Sequence, residues 1–402
     1  MSARSVRDAA VSGKRVLVRV DFNVPLRGGE VADDTRIRAA LPTIAALRER
    51  GARVVLCSHL GRPKGVDRAL SLAPVARRLA ELLGAPVALA PDCVGEAVAA
   101  SVNALAPGAV VLLENVRFHA EEEKNDPAFA KALAAPFDLY VNDAFGAAHR
   151  AHASTEGVAR LLPAYAGLLL EKELAVLGGL LGAPARPFLA IVGGAKVSSK
   201  LDVLQALLAR VDTLAIGGGM ANTFLAATGH PIGRSLAEPD RMPEAERILD
   251  AAARANKVVL LPTDVVVAAS ADAAGASSAR AVAAGGVPAD VAIVDIGPRT
   301  LEAYGAAIEG ARTIFWNGPV GVFEVPAFAS GTRAIARLLA AASARGATTV
   351  VGGGESVQAV EEAGLAPKMT HVSTGGGASL ELIEGKVLPG VAAIPDDQGR
   401  LA

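Results

Sequence analysis

Short apolar runs alternate along the chain with longer segments whose apolar residues recur at helical spacing. In the first half each run has three or four residues, is rich in β-branched side chains, and is too short to be a helix. The runs of the first half lie at residues 16–18, 54–56, 87–89, 110–113 and 139–141. Short buried strands that alternate with helices predict βα units and a parallel sheet.

The second half repeats this arrangement. Its apolar runs lie at residues 188–192, 214–216, 258–261, 292–294, 313–316 and 349–351. We therefore predict an α/β fold of two doubly wound, parallel-sheet (Rossmann-like) domains. Residues 168–177 are strong helix formers bounded by Gly178 and Gly179, which predicts a helical hinge between the domains. The Ala-rich tract at residues 265–289 has the composition of a surface helix and loop, and no function is assigned to it.

Length and charge narrow the classes of function. The chain has 402 residues, more than one hydrophobic core usually supports, which agrees with two domains. A formal net charge of −1 argues against a chain-wide electrostatic attraction to nucleic acid or to an anionic membrane, so an anion site must be local. The chain has no apolar segment of signal-peptide or membrane-spanning length, and we expect a cytoplasmic protein.

Cysteine and histidine spacing gives little sign of a metal site. Cys57 and Cys93 do not form a CxxC pair, so the sequence predicts neither a disulfide framework nor a cysteine metal site. His149 and His152 have a spacing that could bind a metal, but no third ligand follows at a suitable distance. Contact with an anion or capping of a helix is the preferred interpretation of these two histidines.

Polar residues follow four first-half strands at their carboxyl ends, where ligands bind in doubly wound sheets. With Arg36 from the first crossover, the cations and histidines are Arg36, His59, Arg62, Arg117, His149, Arg150 and His152. Several guanidinium groups together suit a small metabolite that carries phosphate and carboxylate groups. Asp21 and Asn23 could bind a hydroxyl of such a ligand. The alternative is that each arginine pairs separately with a surface carboxylate.

Glycine-rich turns follow the second-half strands. They lie at residues 193–200, 217–219, 317–319, 352–356 and 374–377, and the first contains Lys196 and Lys200. A glycine turn that opens a helix presents free N–H groups and the positive end of the helix dipole to a phosphate. The alternative is that tight βα turns need glycine for steric reasons alone. No turn matches the Walker or dinucleotide fingerprint, so neither a P-loop enzyme nor a nicotinamide dehydrogenase is indicated.

Eight stretches resemble the phosphoglycerate kinase family in order and spacing. They are residues 20–25, 58–65, 113–126, 141–154, 193–200, 315–324, 351–356 and 371–385, and they include the specific motifs RVDFNVP at residues 19–25 and SHLGRPKG at residues 58–65. The resemblance implies reversible, Mg²⁺-dependent phosphoryl transfer between 1,3-bisphosphoglycerate and ADP, which gives 3-phosphoglycerate and ATP in glycolysis and gluconeogenesis. It also implies a monomer.

The resemblance assigns roles to residues of this chain. It implies binding of the phosphoglycerate by Asp21, Phe22, Asn23, Arg36, His59, Leu60, Gly61, Arg62, Arg117 and Arg150. It implies binding of the nucleotide by Lys200, Gly217, Gly218, Asn317, Glu324, Gly352, Gly353, Gly354, Glu355 and Ser356. The implied catalytic residues are Arg36, Lys196, Lys200, Gly375 and Gly376. Glu355 would hold Mg²⁺, although the family commonly has Asp at this position.

The resemblance also implies where the domains divide. Residues 1–168 and 387–402 would form the phosphoglycerate-binding domain, residues 169–185 the hinge helix, and residues 186–386 the nucleotide-binding domain. Closure about the hinge would exclude water and align the two ligands. Two alternatives stay open at this point: a kinase that acts on another carboxylic acid, and a non-catalytic anion or nucleotide sensor on the same fold.

Overall fold

The computed structural model describes residues 3–401, which divide into two compact units. The N-terminal unit extends to Gly178 and takes up the chain again from Lys386, and the C-terminal unit is Gly179–Gly385. The two chain ends meet within the N-terminal unit, where the N–H of Arg4 donates to the carbonyl of Pro395 at 2.9 Å. Among the described residues no helix has the length and apolarity needed to span a membrane.

The N-terminal unit is built on a six-stranded parallel sheet. The strands of this unit are β1 (Arg15–Arg19), β2 (Leu26–Arg27), β3 (Glu30–Val31), β4 (Arg53–Cys57), β5 (Val87–Leu89), β6 (Val110–Leu112), β7 (Leu139–Asn142) and β8 (Ala164–Ala166). The sheet has the order β5-β6-β4-β1-β7-β8, and β2 and β3 form a separate antiparallel pair. All five apolar runs predicted in this half are strands of the sheet.

Helices cover this sheet and complete its core. They are α1 (Thr35–Glu49), α2 (Ala73–Leu83), α3 (Glu96–Asn103), α4 (Ala120–Glu123) and α5 (Pro127–Ala134). Val16 and Val18 of β1 are fully buried in one cluster with Ile37 and Leu47 of α1. Burial of each such side chain contributes about 1.5–3 kcal/mol relative to exposure, which accounts for the uninterrupted apolar character of the strands.

A long helix, α6 (Leu168–Leu181), leaves the N-terminal unit. The side chain of Asp143, directly after β7, caps its first turn: Oδ1 accepts from the N–H groups of Leu169 at 2.9 Å and Leu170 at 3.3 Å. Gly167 precedes the helix, and a Cβ there would lie 2.1 Å from Asp143 Oδ1, so the cap requires glycine at this position. The helix ends at Leu181, whereas the predicted hinge helix extended to residue 185.

The C-terminal unit contains the second six-stranded parallel sheet. The strands of this unit are β9 (Phe188–Val192), β10 (Thr213–Ile216), β11 (Val258–Leu260), β12 (Asp264–Ala268), β13 (Arg280–Ala283), β14 (Ala292–Ile296), β15 (Thr313–Asn317), β16 (Thr348–Gly352) and β17 (His371–Val372). Its helices are α7 (Leu201–Leu208), α8 (Gly218–Ala227), α9 (Met242–Arg254), α10 (Pro298–Gly310), α11 (Ser330–Ala344), α12 (Gly354–Glu362) and α13 (Gly376–Ile383). The sheet order is β11-β10-β9-β15-β16-β17, which confirms the predicted α/β class with two parallel sheets. The last helix of the chain, α14 (Pro389–Ala392), belongs to the N-terminal unit.

Two predictions for the second half are wrong. The run at residues 292–294 lies in β14, which pairs antiparallel with β12 in a separate three-stranded sheet. The Ala-rich tract at residues 265–289 holds β12 and β13 rather than only a helix and loop. Val265 and Val267 of β12 are buried in one cluster with Leu225 of α8, and the Ala, Ser and Gly residues that follow give the tract its low-complexity composition.

Candidate functional site

The strand order of the N-terminal sheet reverses at β1. The chain moves from β1 to β4 on one side and later returns to β7 on the other side. Loops that diverge at such a switch point leave a crevice beyond the carboxyl ends of the strands, where ligands bind. Asp21 and Asn23 follow β1, and Arg150 lies in the segment after β7. The sequence-predicted residues of this half are thus grouped around one edge of the sheet.

The loop after β1 holds the guanidinium of Arg36. Arg36 Nη1 donates to Asp21 Oδ2 at 3.1 Å and to the carbonyl of Asn23 at 3.2 Å. The Arg36 side chain keeps 36% of its surface exposed, whereas that of Asp21 keeps 10%. These two hydrogen bonds orient the guanidinium of Arg36, and its other N–H groups can donate to a ligand.

The loop after β4 is tied to its neighbours through Gly61. The N–H of Gly61 donates to Asn23 Oδ1 at 2.9 Å, and its carbonyl accepts from Arg117 Nη1 at 2.8 Å. Gly61 has a φ of +63°, a left-handed conformation that favours glycine. Next to it Arg62 is exposed. The backbone of Gly61 thus links the three loops that carry the predicted phosphoglycerate ligands.

Two of the predicted ligands place their side chains in the core instead. Phe22 and Leu60 are 0% and 2% exposed and belong to the main hydrophobic cluster of this unit. The N–H of Phe22 donates to Ser58 Oγ at 2.9 Å, which fixes the loop after β1 against the loop after β4. These residues shape the crevice rather than line it with polar groups.

Two of the predicted histidines, His59 and His152, are uncharged near neutral pH. Burial lowers the pKa of His59 well below its ordinary value, and the charges of Arg19, Arg117, Arg150 and Arg36 lower it further. These contributions also place the four arginines near one imidazole. Burial together with the charges of Arg117 and Arg19 likewise lowers the pKa of His152, to about 4.

The region around His149 contains a histidine–arginine contact. Arg150 Nε donates to His149 Nε2 at 3.2 Å. His152 Nδ1 lies 3.3 Å from Glu122 Oε2, so its nearest charged partner is a buried carboxylate. Within residues 3–401, His149 and His152 do not belong to a group of three or more potential metal ligands.

Three residues that the sequence did not single out organise this cluster. Arg19 is 1% exposed, donates from Nε to Ser154 Oγ at 2.8 Å and lies with Nη2 3.1 Å from His59 Nδ1. Glu122 is fully buried and accepts a short hydrogen bond from Ser154 Oγ, so a buried carboxylate balances the charge of Arg19. Asn115 holds Leu60 through both the N–H and the carbonyl, at 3.2 and 2.8 Å.

The C-terminal sheet has its own switch point, between β9 and β15. Lys200 lies there, because its Nζ donates to the carbonyl of Gly193 at 2.6 Å, to Asn317 Oδ1 at 2.7 Å and to the carbonyl of Asn317 at 3.2 Å. Burial lowers the pKa of Lys200 to about 8, while the charge of Glu355 raises it. The ammonium group of Lys200 at the switch point is therefore suited to bind an anion.

The glycines of the turns fall into two groups. Gly217 and Gly218 are required by packing: a Cβ would lie 2.6 Å from Val320 at the first and 2.8 Å from backbone of Gly194 at the second. Gly354 and Gly376 have no atom within 4 Å of an added Cβ. Close packing therefore explains why Gly217 and Gly218 are glycines. Gly354 and Gly376 are not required by packing, and they leave open space at the starts of α12 and α13.

The segment after β16 surrounds the side chain of Asn317. Ser356 Oγ accepts from the N–H of Gly318 at 3.1 Å and donates to the carbonyl of Gly352. Gly353 has a φ of +88°, and a Cβ there would lie 2.9 Å from Asn317 Nδ2. Asn317 Nδ2 is buried and has no hydrogen-bond partner within residues 3–401. An amide donor is thus left for a ligand.

Three further predicted residues of this unit have exposed side chains, and Gly375 is buried. Glu355 is exposed in the first turn of α12, and Glu324 and Lys196 are also exposed. Glu355 is near enough to raise the pKa of Lys200. Gly375 precedes α13, and its N–H donates to Ser373 Oγ at 3.2 Å. The unit therefore presents two lysines, two helix starts and two carboxylates.

Comparisons with known proteins find matches over nearly the whole chain. A family model described as "Phosphoglycerate kinase" matches residues 6–386. The chain is 58% identical over 399 residues to a protein named "Phosphoglycerate kinase" from Moorella thermoacetica, with 98% of this chain and 100% of that protein covered. It is 57% identical over 401 residues to a protein of the same name from Chloroflexus aurantiacus, with the same coverage of 98% and 100%.

Solved structures are also similar over nearly the whole chain. The structure of phosphoglycerate kinase from Coxiella burnetii matches with a TM-score of 0.86 and 42% identity, covering 98% of each chain. The crystal structure of phosphoglycerate kinase from Pyrococcus horikoshii OT3 matches with a TM-score of 0.85 and 35% identity, covering 97% of this chain and 98% of that one.

Proposed function

This chain belongs to the phosphoglycerate kinase family, and from that premise we propose how its residues divide the work of the reaction. The reaction is reversible phosphoryl transfer between 1,3-bisphosphoglycerate and ADP, a glycolytic step that gives 3-phosphoglycerate and ATP. In our proposal the N-terminal unit binds the phosphoglycerate and the C-terminal unit binds the nucleotide.

In this proposal the arginines of the N-terminal unit bind the phosphoglycerate. Arg36, Arg62, Arg117 and Arg150 supply guanidinium donors, which bind phosphate and carboxylate in a bidentate manner. The neutral imidazole of His59 contributes a single directed hydrogen bond. Asp21 and Asn23 accept from the ligand hydroxyl, since their carboxylate and amide oxygens lie beside Arg36 and Gly61.

The nucleotide is bound in this proposal by the glycine loops of the C-terminal unit. Lys200 and Asn317 hold the phosphates at the switch point, and Lys196 contacts the migrating phosphoryl group from the same loop. The open starts of α12 and α13 present backbone N–H groups, with Gly354 and Gly376 allowing a phosphate to approach. The remaining predicted nucleotide contacts are Gly217, Gly218, Glu324, Gly352, Gly353 and Ser356.

The residues present suit a magnesium ion that arrives with the nucleotide. Mg²⁺ is usually held by one or two carboxylates together with substrate phosphates and water. Glu355 offers an exposed carboxylate at the start of α12, within electrostatic reach of Lys200. When bound, the ion would neutralise charge on the phosphates. The longer Glu side chain meets this need because its carboxylate is unrestrained by burial.

The chemistry explains why a general base is not needed. In the ATP-forming direction a terminal oxygen of ADP attacks phosphorus, a new P–O–P bond forms, and the carboxylate of 3-phosphoglycerate leaves. In reverse the carboxylate is the nucleophile, and its ordinary pKa of about 3.5–4 means that it is already ionised. Neither direction requires a proton transfer. Arg36, Lys196, Lys200, Gly375 and Gly376 act by stabilising the charge on the three equatorial oxygens.

We further propose that the enzyme is a cytoplasmic monomer that closes about α6. The transfer requires both ligands in line and water excluded, because water would otherwise hydrolyse the acyl phosphate. Small-angle scattering should detect a decrease in radius of gyration when 3-phosphoglycerate and nucleotide are both bound. An unchanged radius with both ligands at saturation would count against closure, and a dimer mass would count against the monomer.

The observation that carries these assignments is the pair of switch-point cations, Arg36 and Lys200, each oriented by its own loop. The test is ATP formation from ADP, Mg²⁺ and 1,3-bisphosphoglycerate. We expect Arg36→Ala and Lys200→Ala each to lose on the order of 10²-fold in kcat.

Two matched controls use the same residue types away from the sites. Arg38 lies on α1 and pairs with Asp34, and Lys257 Nζ bonds the carbonyl of Val211 at the amino end of β10. Arg38→Ala and Lys257→Ala should keep wild-type turnover. Correctly folded wild type that binds both ligands without turnover would contradict the proposal.

A further inference from the structure

A cluster of three potential metal ligands lies outside the site described above. One ligand atom each from Asp92, Cys93 and His119 lies within 4.8 Å of the other two. Asp92 and Cys93 follow β5, and His119 follows the helical turn after β6. Because β5 and β6 are neighbouring parallel strands, their loops meet at the same edge of the sheet.

The carboxylate of Asp92 is the centre of this cluster. Its Oδ1 lies 2.7 Å from His119 Nε2 and accepts from the N–H of Cys93 at 2.6 Å. The sulfur of Cys93 lies within 4.8 Å of the ligand atoms of Asp92 and His119. The backbone beneath is fixed, since the carbonyl of Asp92 accepts from the N–H of Glu114 at 3.4 Å. An imidazole and a thiol therefore converge on one anion.

The three groups of the cluster differ in exposure. Cys93 is 1% exposed, whereas the side chains of Asp92 and His119 keep 46% and 29% of their surface. The thiol thus forms the floor of a shallow site, and the imidazole and carboxylate form its rim. A cation can enter past the rim without unfolding of the core.

The donor set selects the kind of cation. Thiolate, imidazole and carboxylate are the ligands of Zn²⁺, with bonds of about 2.3 Å to sulfur and about 2.0–2.2 Å to nitrogen and oxygen. Tetrahedral bonds of these lengths separate the donor atoms by roughly 3.3–3.7 Å, so closing the cluster takes side-chain movements of about 1 Å. A soft sulfur donor disfavours Mg²⁺, so this site would bind a different cation from the Mg²⁺ that accompanies the nucleotide.

A plain ion pair between His119 and Asp92 accounts for only two of the three groups. It gives no reason for the buried thiol to face the same carboxylate. We propose that Asp92, Cys93 and His119 form a binding site for a thiophilic divalent cation of the Zn²⁺ class. Three protein ligands leave a fourth position for water. CxxC spacing could not reveal the site, because its ligands come from two loops.

Binding is coupled to proton release. The metal takes up the thiolate form of Cys93, so the thiol proton leaves to solvent, and the imidazole must bind through an unprotonated Nε2. Affinity for the metal therefore rises with pH.

The test uses Co²⁺ as a spectroscopic probe on the full chain, stripped with a chelator and free of nucleotide. We expect a sulfur-to-cobalt charge-transfer band and the visible bands of a tetrahedral site, both abolished by added Zn²⁺. Cys93→Ser should remove the charge-transfer band. His119→Gln and Asp92→Asn should each weaken binding at least about tenfold, since even the loss of a residue that only hydrogen-bonds to a metal ligand has an effect of this size.

Cys57 provides the matched control, since it is the second buried cysteine of the same unit. Cys57→Ser should keep the band and the affinity. Zn²⁺ should also raise the Tm of wild type, because it binds the folded state, and should not raise that of Cys93→Ser. Wild type without a charge-transfer band at micromolar Co²⁺, or a band lost in Cys57→Ser but kept in Cys93→Ser, would overturn the proposal. If His119→Gln fails to fold, Cys93→Ser still decides.

Discussion

Arg19 Nη2 lies 3.1 Å from Nδ1 of His59, and both side chains are buried. A guanidinium has donors but no acceptor, so Nδ1 of the imidazole must accept this hydrogen bond. Because burial and the surrounding arginines lower the pKa of His59 well below its ordinary value, the ring carries one proton. That proton is on Nε2, which leaves an N–H donor for the ligand.

We expect NMR to detect this tautomer directly. Long-range ¹H–¹⁵N correlations of wild type should show His59 neutral with its proton on Nε2 near neutral pH. Arg19→Met removes the donor to Nδ1 and should allow both tautomers. Arg19→Lys, which keeps a donor, should restore the Nε2–H form. A protonated ring, or an Nδ1–H tautomer in wild type, would contradict this arrangement.

Asp143 links the start of α6 to pH. Its Oδ1 caps the helix at Leu169 and Leu170, and burial raises its pKa to about 7. Because the folded pKa lies above that of the unfolded chain, the associated stability is full below pH 3.8 and is lost as pH rises through about 7. Asp143→Asn keeps an acceptor and does not titrate.

Urea unfolding of both proteins tests this prediction. The difference in free energy of unfolding, Asp143→Asn minus wild type, should increase between pH 4 and pH 7 by at most about 1.4 kcal/mol per pH unit. Above pH 7 this difference should stay constant. Asp138 serves as control, because its hydrogen bond with Arg15 lowers its pKa. For Asp138→Asn the difference from wild type should be constant over the same range. A constant difference for Asp143→Asn as well would refute the linkage.

Lys200 predicts a pH limit on nucleotide use. Burial lowers its pKa to about 8, so the free enzyme loses this positive charge as pH rises above that value. We expect kcat/KM for ADP to fall about tenfold per pH unit above pH 8, because kcat/KM reports groups of the free enzyme. Lys200→Arg stays charged and should remove the fall, whatever its absolute rate. A decline that persists in Lys200→Arg would assign it to another group.

The two groups of glycines predict opposite consequences of adding a methyl group. Gly218→Ala places a side chain at a φ of +68° against backbone of Gly194 and should destabilise the protein by about 1–3 kcal/mol. Gly376→Ala enters open space and should keep the Tm of wild type while slowing turnover. Thermal unfolding and steady-state kinetics on both variants separate these effects. Wild-type turnover in Gly376→Ala would remove its helix start from the site.

Much of this architecture could be predicted from the sequence because it depends on local pattern. Runs such as residues 16–18 and 188–192 are continuous, β-branched and bounded by helical segments, and each forms a strand of a parallel sheet. The run at residues 292–294 has the same pattern, yet it pairs with β12 in the antiparallel sheet. Strand partners are set by long-range packing, which periodicity does not encode.

The supporting residues of the site were hidden for the same reason. Arg19 ends an apolar strand, and a charged residue in that place was a signal that could have been used. Glu122 is one of three consecutive glutamates, and the sequence does not indicate which of them is buried. Asn115 acts on Leu60, which is distant along the chain. Such contacts exist only once the loops are brought together.

The most direct test of the proposed division of labour is calorimetric binding of each ligand alone. Arg62 is exposed, so Arg62→Ala should preserve the fold, and it should weaken 3-phosphoglycerate binding by about tenfold or more while leaving Mg²⁺–ADP binding unchanged. Lys200→Ala should do the opposite. If both variants weaken the same ligand, or neither ligand responds, the assignment of one substrate to each unit is contradicted.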